Sequence, residues 1–223
     1  MTYNEVVYSI RERLRQNIDD SDITNREIIF HVNNQRALFY RNQYNQRNRS
    51  VDEEIKQILK FTMAQDTTEE CGDLADCHVM KSTQKLPSTL ELHHKNAIFK
   101  VTALDKTAIS FNLVSWNEFP YQGLSRYTKN EVYVAVGPDN YLYMKSTNKL
   151  VKFITSILVT AILENPLDIK DFNLCPDASA CQDLDTFEYP IKAYAFAYIA
   201  DQVVNALGVK LNIPEDEQND SEA

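Results

Sequence analysis

The chain has 223 residues, of which 43% are apolar and 25% charged, with a formal net charge of −9. Only four glycines occur, so neither GxGxxG nor a GxxxxGK phosphate loop is present. The longest apolar run, Ile157–Leu163, contains Thr160 and is too short to span a bilayer, and the opening "MTYNEVVYSIRERL" has charges where a signal peptide needs an apolar core.

The net charge hides an asymmetry. Eight of the nine arginines fall in the first 50 residues, which contain no lysine, and no acid occurs from Ile28 to Val51. The end is the reverse: "PEDEQNDSEA" carries five acids and no base. Arginine offers a planar fork that hydrogen-bonds bidentately and stacks on rings, so an arginine-only region is suited to interfaces.

Thr2 with Glu5 forms a capping box, and Val6, Val7, Ile10 and Leu14 follow at helical spacing, which predicts a helix from about Tyr3 to Asn17. Thr24 with Glu27 forms a second box and predicts a helix from Asn25 to the region of Gln46. At 100° per residue, Ile28, Val32 and Phe39 make a stripe that Ile29, Phe30, Ala37, Tyr40 and Tyr44 widen to about 200°, with Asn33, Arg36 and Gln43 inside it. One core needs an apolar arc of only about 100°, so protein is expected on more than one side of this helix. The expected contact residues are Arg36, Phe39, Tyr40, Arg41, Tyr44, Arg47 and Arg49.

Beyond Ser50 the segments "EIKQILKFTMAQD", "HVMKSTQKLP", "NAIFKVTALD" and "AISFNLVSW" read as strands. "EVYVAVGPDNYLYMKST" reads as a hairpin turning at Gly137–Asn140. "VKFITSILVTAILENP" is also assigned to a strand, ended by Pro166. The last element, from about Tyr189 to Leu207, is helical: Ile191, Tyr194, Ala195, Tyr198 and Val203 recur at turn spacing, and Gly208 is the expected stop. The order predicts an α+β protein: an N-terminal helical hairpin (residues 1–50), a central antiparallel β region (51–187), a C-terminal helix (188–209) and an acidic tail (210–223), all in one domain.

Catalytic constellations are missing. No serine lies in GxSxG, and the adjacent His93 and His94 cannot form an HExxH face. Cys71 and Cys77, and Cys175 and Cys181, are two pairs with five residues between partners, wider than structural zinc sites usually use. Thiols, disulfides and a zinc site all stay open for them, with thiols favoured by cytosolic synthesis. Arg36, Arg41, Arg47 and Arg49 interleaved with Phe39, Tyr40 and Tyr44 also fit a small nucleic-acid patch, against which stands the acidic chain as a whole.

"DDSDITNREIIFHVNNQRALFYRNQYNQ" resembles the opening of virion structural proteins of crAss-like tailed bacteriophages, through Ser21, Ile23, Thr24, Arg26, Ile28, Gln35, Arg36, Ala37 and Leu38. "KSTQKLPSTL" (Lys81–Leu90) and "IPEDEQNDS" (Ile213–Ser221) are similar to the same group. The resemblance implies a non-enzymatic ring or adaptor protein of the head-to-tail connector, with no cofactor and no membrane. Its expected partners are copies of itself in a twelvefold ring, a portal protein, neighbouring tail or ring proteins and, non-specifically, the genomic DNA in the channel. The implied location is the head-tail junction of a virion assembled in the bacterial cytoplasm. Another tail or completion protein is the alternative, with a zinc-dependent regulator or enzyme behind it. On this reading, changing both Arg36 and Arg41 to Glu should leave the subunit folded but impair its incorporation into particles.

Overall fold

The computed structural model describes residues 1–17, 23–46, 50–65, 78–93, 97–104, 110–123, 125–128, 130–172 and 187–211. It divides into two compact units, Met1–Ile55 with Gln182–Ala223, and Lys56–Cys181. The α+β class holds, with three α-helices and one seven-stranded sheet among the described residues.

The first unit is helical. Helix α1 (Tyr3–Asn17) begins at the expected box: the Thr2 N–H donates to Glu5 Oε2 at 2.8 Å, and the Glu5 N–H to Thr2 Oγ1 at 3.3 Å. These bonds occupy donors that a helix start leaves without partners. Helix α2 (Asn25–Asn45) repeats the device, with Thr24 and Glu27 bonded reciprocally. Helix α3 (Ala193–Leu211) packs against both α1 and α2. Two backbone bonds, Tyr3 N–H to Phe187 O and Tyr189 N–H to Met1 O, both 2.9 Å, tie the chain start to the approach to α3. Gly208 does not end α3. Its φ is not positive, so it cannot supply the left-handed C-terminal turn, and the helix runs on to Leu211.

The second unit is built on β1 (Gln57–Gln65), β2 (His78–Lys85), β3 (Ile98–Ala103), β4 (Asn112–Leu113), β5 (Tyr133–Val136), β6 (Tyr141–Ser146) and β7 (Ser156–Ala161), in spatial order β3-β7-β1-β2-β6-β5-β4. All pairs are antiparallel except β4 with β5, so the sheet is mixed. The segment "AISFNLVSW" contributes only the two residues of β4. "VKFITSILVTAILENP" opens with a 3₁₀ turn (Lys149–Phe153) and becomes a strand only at Ser156. In the β5–β6 hairpin, Asn140 takes φ 63° and Gly137 N–H donates to Tyr141 O at 2.9 Å, which closes the expected turn.

The two outer strands of this sheet meet. Thr102 in β3 bridges Ser110, and the Phe111 N–H donates to Val101 O at 2.7 Å just ahead of β4. The sheet therefore curls so that its two outer strands come together at one end, in a barrel-like form. Period-two alternation sorts its side chains. Leu59, Phe61, Met80, Val134, Leu142, Met144 and Val159 fill one side as a single cluster. The intervening Val79, Tyr133, Ala135 and Tyr143 pack on the other, under Phe119, Val114 and Trp116. Lys145 is buried on this second side, its Nζ donating to Pro120 O at 2.8 Å, and burial lowers its pKa.

Candidate interaction surface

Helix α2 carries most of the residues expected to make contacts, and the structure sorts them into inward and outward sets. Arg36 is 1% exposed. Its Nε donates to Pro190 O at 2.9 Å, and its guanidinium lies 5.5 Å from the Tyr40 ring centroid and 5.9 Å from that of Tyr189. Burial pulls its pKa below the usual arginine range, while the tyrosines act in the opposite sense. A buried guanidinium is tolerable when a carbonyl dipole and ring faces replace its water. Tyr40 is also buried: its hydroxyl accepts the Lys192 N–H at 3.0 Å, and its ring stacks on that of Tyr44 at 5.8 Å. Tyr44 in turn donates to Asp52 Oδ2 at 3.4 Å, and burial raises the phenol pKa.

Arg36, Tyr40 and Tyr44 are thus interior residues whose contacts are made within their own unit. The wide arc is explained from inside the chain, because α2 packs against both α1 and α3. The polar residues within the arc bond the entry to α3. The Asn33 side chain accepts from the Tyr189 hydroxyl, Arg36 reaches Pro190, and Gln43 Nε2 donates to the Tyr194 hydroxyl at 2.9 Å.

Two outward faces remain. On one, Phe30 (60% exposed), Leu38 (50% exposed), Arg41 and Asn34 project away from the buried arc. On the other, half-buried Phe39 meets two exposed tyrosines of α3, Tyr194 at 6.4 Å and Tyr198 at 5.6 Å between ring centroids. Beside them lies a cavity of about 480 Å³ lined by Gln43, Tyr44, Ser50, Asp52 and Tyr194. Turn spacing in the sequence groups Tyr194 and Tyr198 with Ile191, Ala195 and Val203 without saying which of them are covered. On the wheel the two tyrosines lie roughly opposite Val203 and share their face with Asp201 and Asn205, which are also exposed. That polar company was the available signal. Arg47, Arg49, Cys71, Cys77, Cys175, Cys181, His94 and the acidic tail from residue 212 lie outside the described residues.

Tyrosine and phenylalanine are enriched where proteins meet, so the exposed rings of the helical unit make it a candidate for the class of proteins that work by contact with other chains. The sequence comparisons give this class its family. The phage tail ring protein 2 family matches residues 5–223, and the chain belongs to it. Ring protein 2 of Bacteroides phage crAss001 is 23% identical over 223 residues, a span covering 99% of this chain and 96% of that relative. The protein is therefore a structural ring protein of a crAss-like phage and a component of the virion. No helix among the described residues is long and apolar enough to cross a membrane.

Proposed function

We propose that the chain is one subunit of a ring in the head-to-tail connector, stacked between portal and tail around the passage taken by the DNA, and that it works without catalysis or cofactor. The observation that carries this reading is the match to a tail ring family over residues 5–223, nearly the whole chain. The two outward faces of the helical unit support it, because a ring subunit needs a neighbour on each flank. The second unit has exposed rings of its own, Tyr121 (74%), Tyr127 (89%) and Phe153 (77%), suited to contacts with other proteins of the connector. The ring is taken as twelvefold. DNA contact is non-specific and comes from Arg47 and Arg49.

Electron microscopy of purified particles tests the proposal. A ring of this chain at the head-tail junction is the expected result. Mass spectrometry of purified virions that failed to find the chain would overturn it.

A further inference from the structure

We propose that Lys145 is a positioning residue: its buried ammonium holds the turn at residues 115–122 in the form that offers Tyr121 to another protein of the connector. The inference rests on the ring reading above and deepens it by naming what sets the shape of one contact.

The sheet itself has no use for a cation at this position. Lys145 is 4% exposed, stands opposite Val79 and Tyr133 on the neighbouring strands, and lies on the side that Phe119, Val114 and Trp116 cover. It makes no ion pair among the described residues, and burial is the one cause that moves its pKa, downward. A charge buried without a counter-charge is costly, and an apolar side chain of similar volume often fills such a place at no loss of stability. What lysine adds over methionine here is one bond, from Nζ to Pro120 O at 2.8 Å.

That bond acts on a single peptide plane. The unit joining Pro120 to Tyr121 is planar, so its oxygen and its N–H move together. The oxygen accepts from Lys145, and the Tyr121 N–H donates to Glu118 O at 3.0 Å. Behind the plane, Phe119 is buried with its ring stacked on Trp116 at 5.6 Å, and Trp116 packs on Tyr143 at 4.9 Å. The Tyr121 backbone is thus held from both edges of the plane while its side chain is 74% exposed. A tyrosine on a fixed backbone has less freedom to lose on binding, and tyrosine is among the residues that most often dominate protein contacts. Without the ammonium, the Pro120 carbonyl would face an apolar side chain with no donor, and the turn would relieve that by lifting toward water.

Two full-length variants, Lys145→Met and Tyr121→Ala, separate position from stability. In the isolated chain, Lys145→Met should keep a urea midpoint at or above that of wild type. Its Tyr121 and Gln122 amides should exchange about tenfold faster, with central β1 amides unchanged. Phage lacking the native copy is complemented with each variant, and mass spectrometry of purified virions should find both chains about tenfold below wild type. A Lys145→Met chain that unfolds at lower urea, or fails to fold, would make Lys145 a stability residue and overturn the proposal. So would unchanged exchange at Tyr121 and Gln122. Normal incorporation of either variant would overturn the contact at Tyr121 while leaving the ring reading intact. Absence of the wild-type chain from virions would instead remove the ring reading and, with it, the partner of Tyr121.

Discussion

The Nε of Arg36 donates to the carbonyl oxygen of Pro190 at 2.9 Å, joining the middle of α2 to the turn that launches α3. The bond spans 154 residues of sequence and places a cation inside the helical unit, flanked by the rings of Tyr40 and Tyr189. Arg36 is thereby a stability residue, with consequences for the paired substitution expected from sequence. Arg36→Ala should lower unfolding free energy by roughly 3 kcal/mol, from a cavity and an abandoned carbonyl. Arg36→Glu should cost on the order of 5 kcal/mol, because it buries a carboxylate against a carbonyl oxygen. Arg41→Glu, on an exposed face, should stay within about 0.5 kcal/mol of wild type. Urea denaturation of the three variants checks the ranking, and an Arg36→Glu protein as stable as wild type would contradict it.

Asp139 sits at the tip of the β5–β6 hairpin, where it accepts from Lys81 Nζ and from the Tyr143 hydroxyl, each at 2.8 Å. Desolvation alone would raise its pKa, but the bonds from Lys81, Tyr143 and the Tyr141 N–H outweigh it and hold the carboxyl below its ordinary value. A depressed folded-state pKa contributes stability that is complete above the unfolded value of ~4 and is lost as pH falls through the folded one. The same pair raises the Lys81 pKa, with its hydrogen bond to Asp139 as the largest cause, so a second loss should begin above pH ~10. Asp139→Asn should flatten the acid limb below pH ~4. Melting temperatures of wild type and variant across that range decide the matter; parallel curves would refute the assignment.

Gly137 has no room for a methyl group. A Cβ built there would lie 2.5 Å from Tyr143 Cε2 and 2.6 Å from Asp139 Oδ1. Neither neighbour moves freely, because Tyr143 and Asp139 are bonded to each other and the Tyr143 ring packs 4.9 Å from Trp116. Gly137→Ala should destabilise by about 1–3 kcal/mol, the usual range for overpacking. A fall in the urea midpoint at unchanged slope is the expected signature.

The seam of the barrel-like sheet also has a direct readout. The Phe111 amide lies outside the assigned strands, yet it donates to Val101 O at 2.7 Å and joins the two outer strands. Native-state hydrogen exchange should protect it to the level of central β1 amides, since its opening would require the seam to part. Exchange as fast as at the Tyr127 amide would mean that the sheet is open in solution.

Local signals carried much of this architecture. The two capping boxes located the starts of α1 and α2 because an N-cap hydroxyl and a glutamate three residues later act within a single turn. Gly137-Pro138-Asp139-Asn140 located the hairpin for the same reason, and β-branched, aromatic runs located most of β1, β2, β3 and β7. The last helix was legible as a helix, but the exposure of Tyr194 and Tyr198 was not, because turn spacing alone does not say which face is covered.

What lay beyond the reach of local pattern depends on contacts between distant segments. The width of the apolar arc on α2 pointed to protein on more than one side, but only packing against α1 and α3 shows that the chain itself fills that arc. Arg36 reads in sequence like any interface arginine; Pro190 and Tyr189 turn it into a buried residue. The parallel register of β4, and the bond from Phe111 to Val101 that brings the outer strands together, likewise join segments whose side-chain patterns do not name their partners. Hydrophobic periodicity encodes how much of an element is covered, while the identity of the cover is a property of the folded chain.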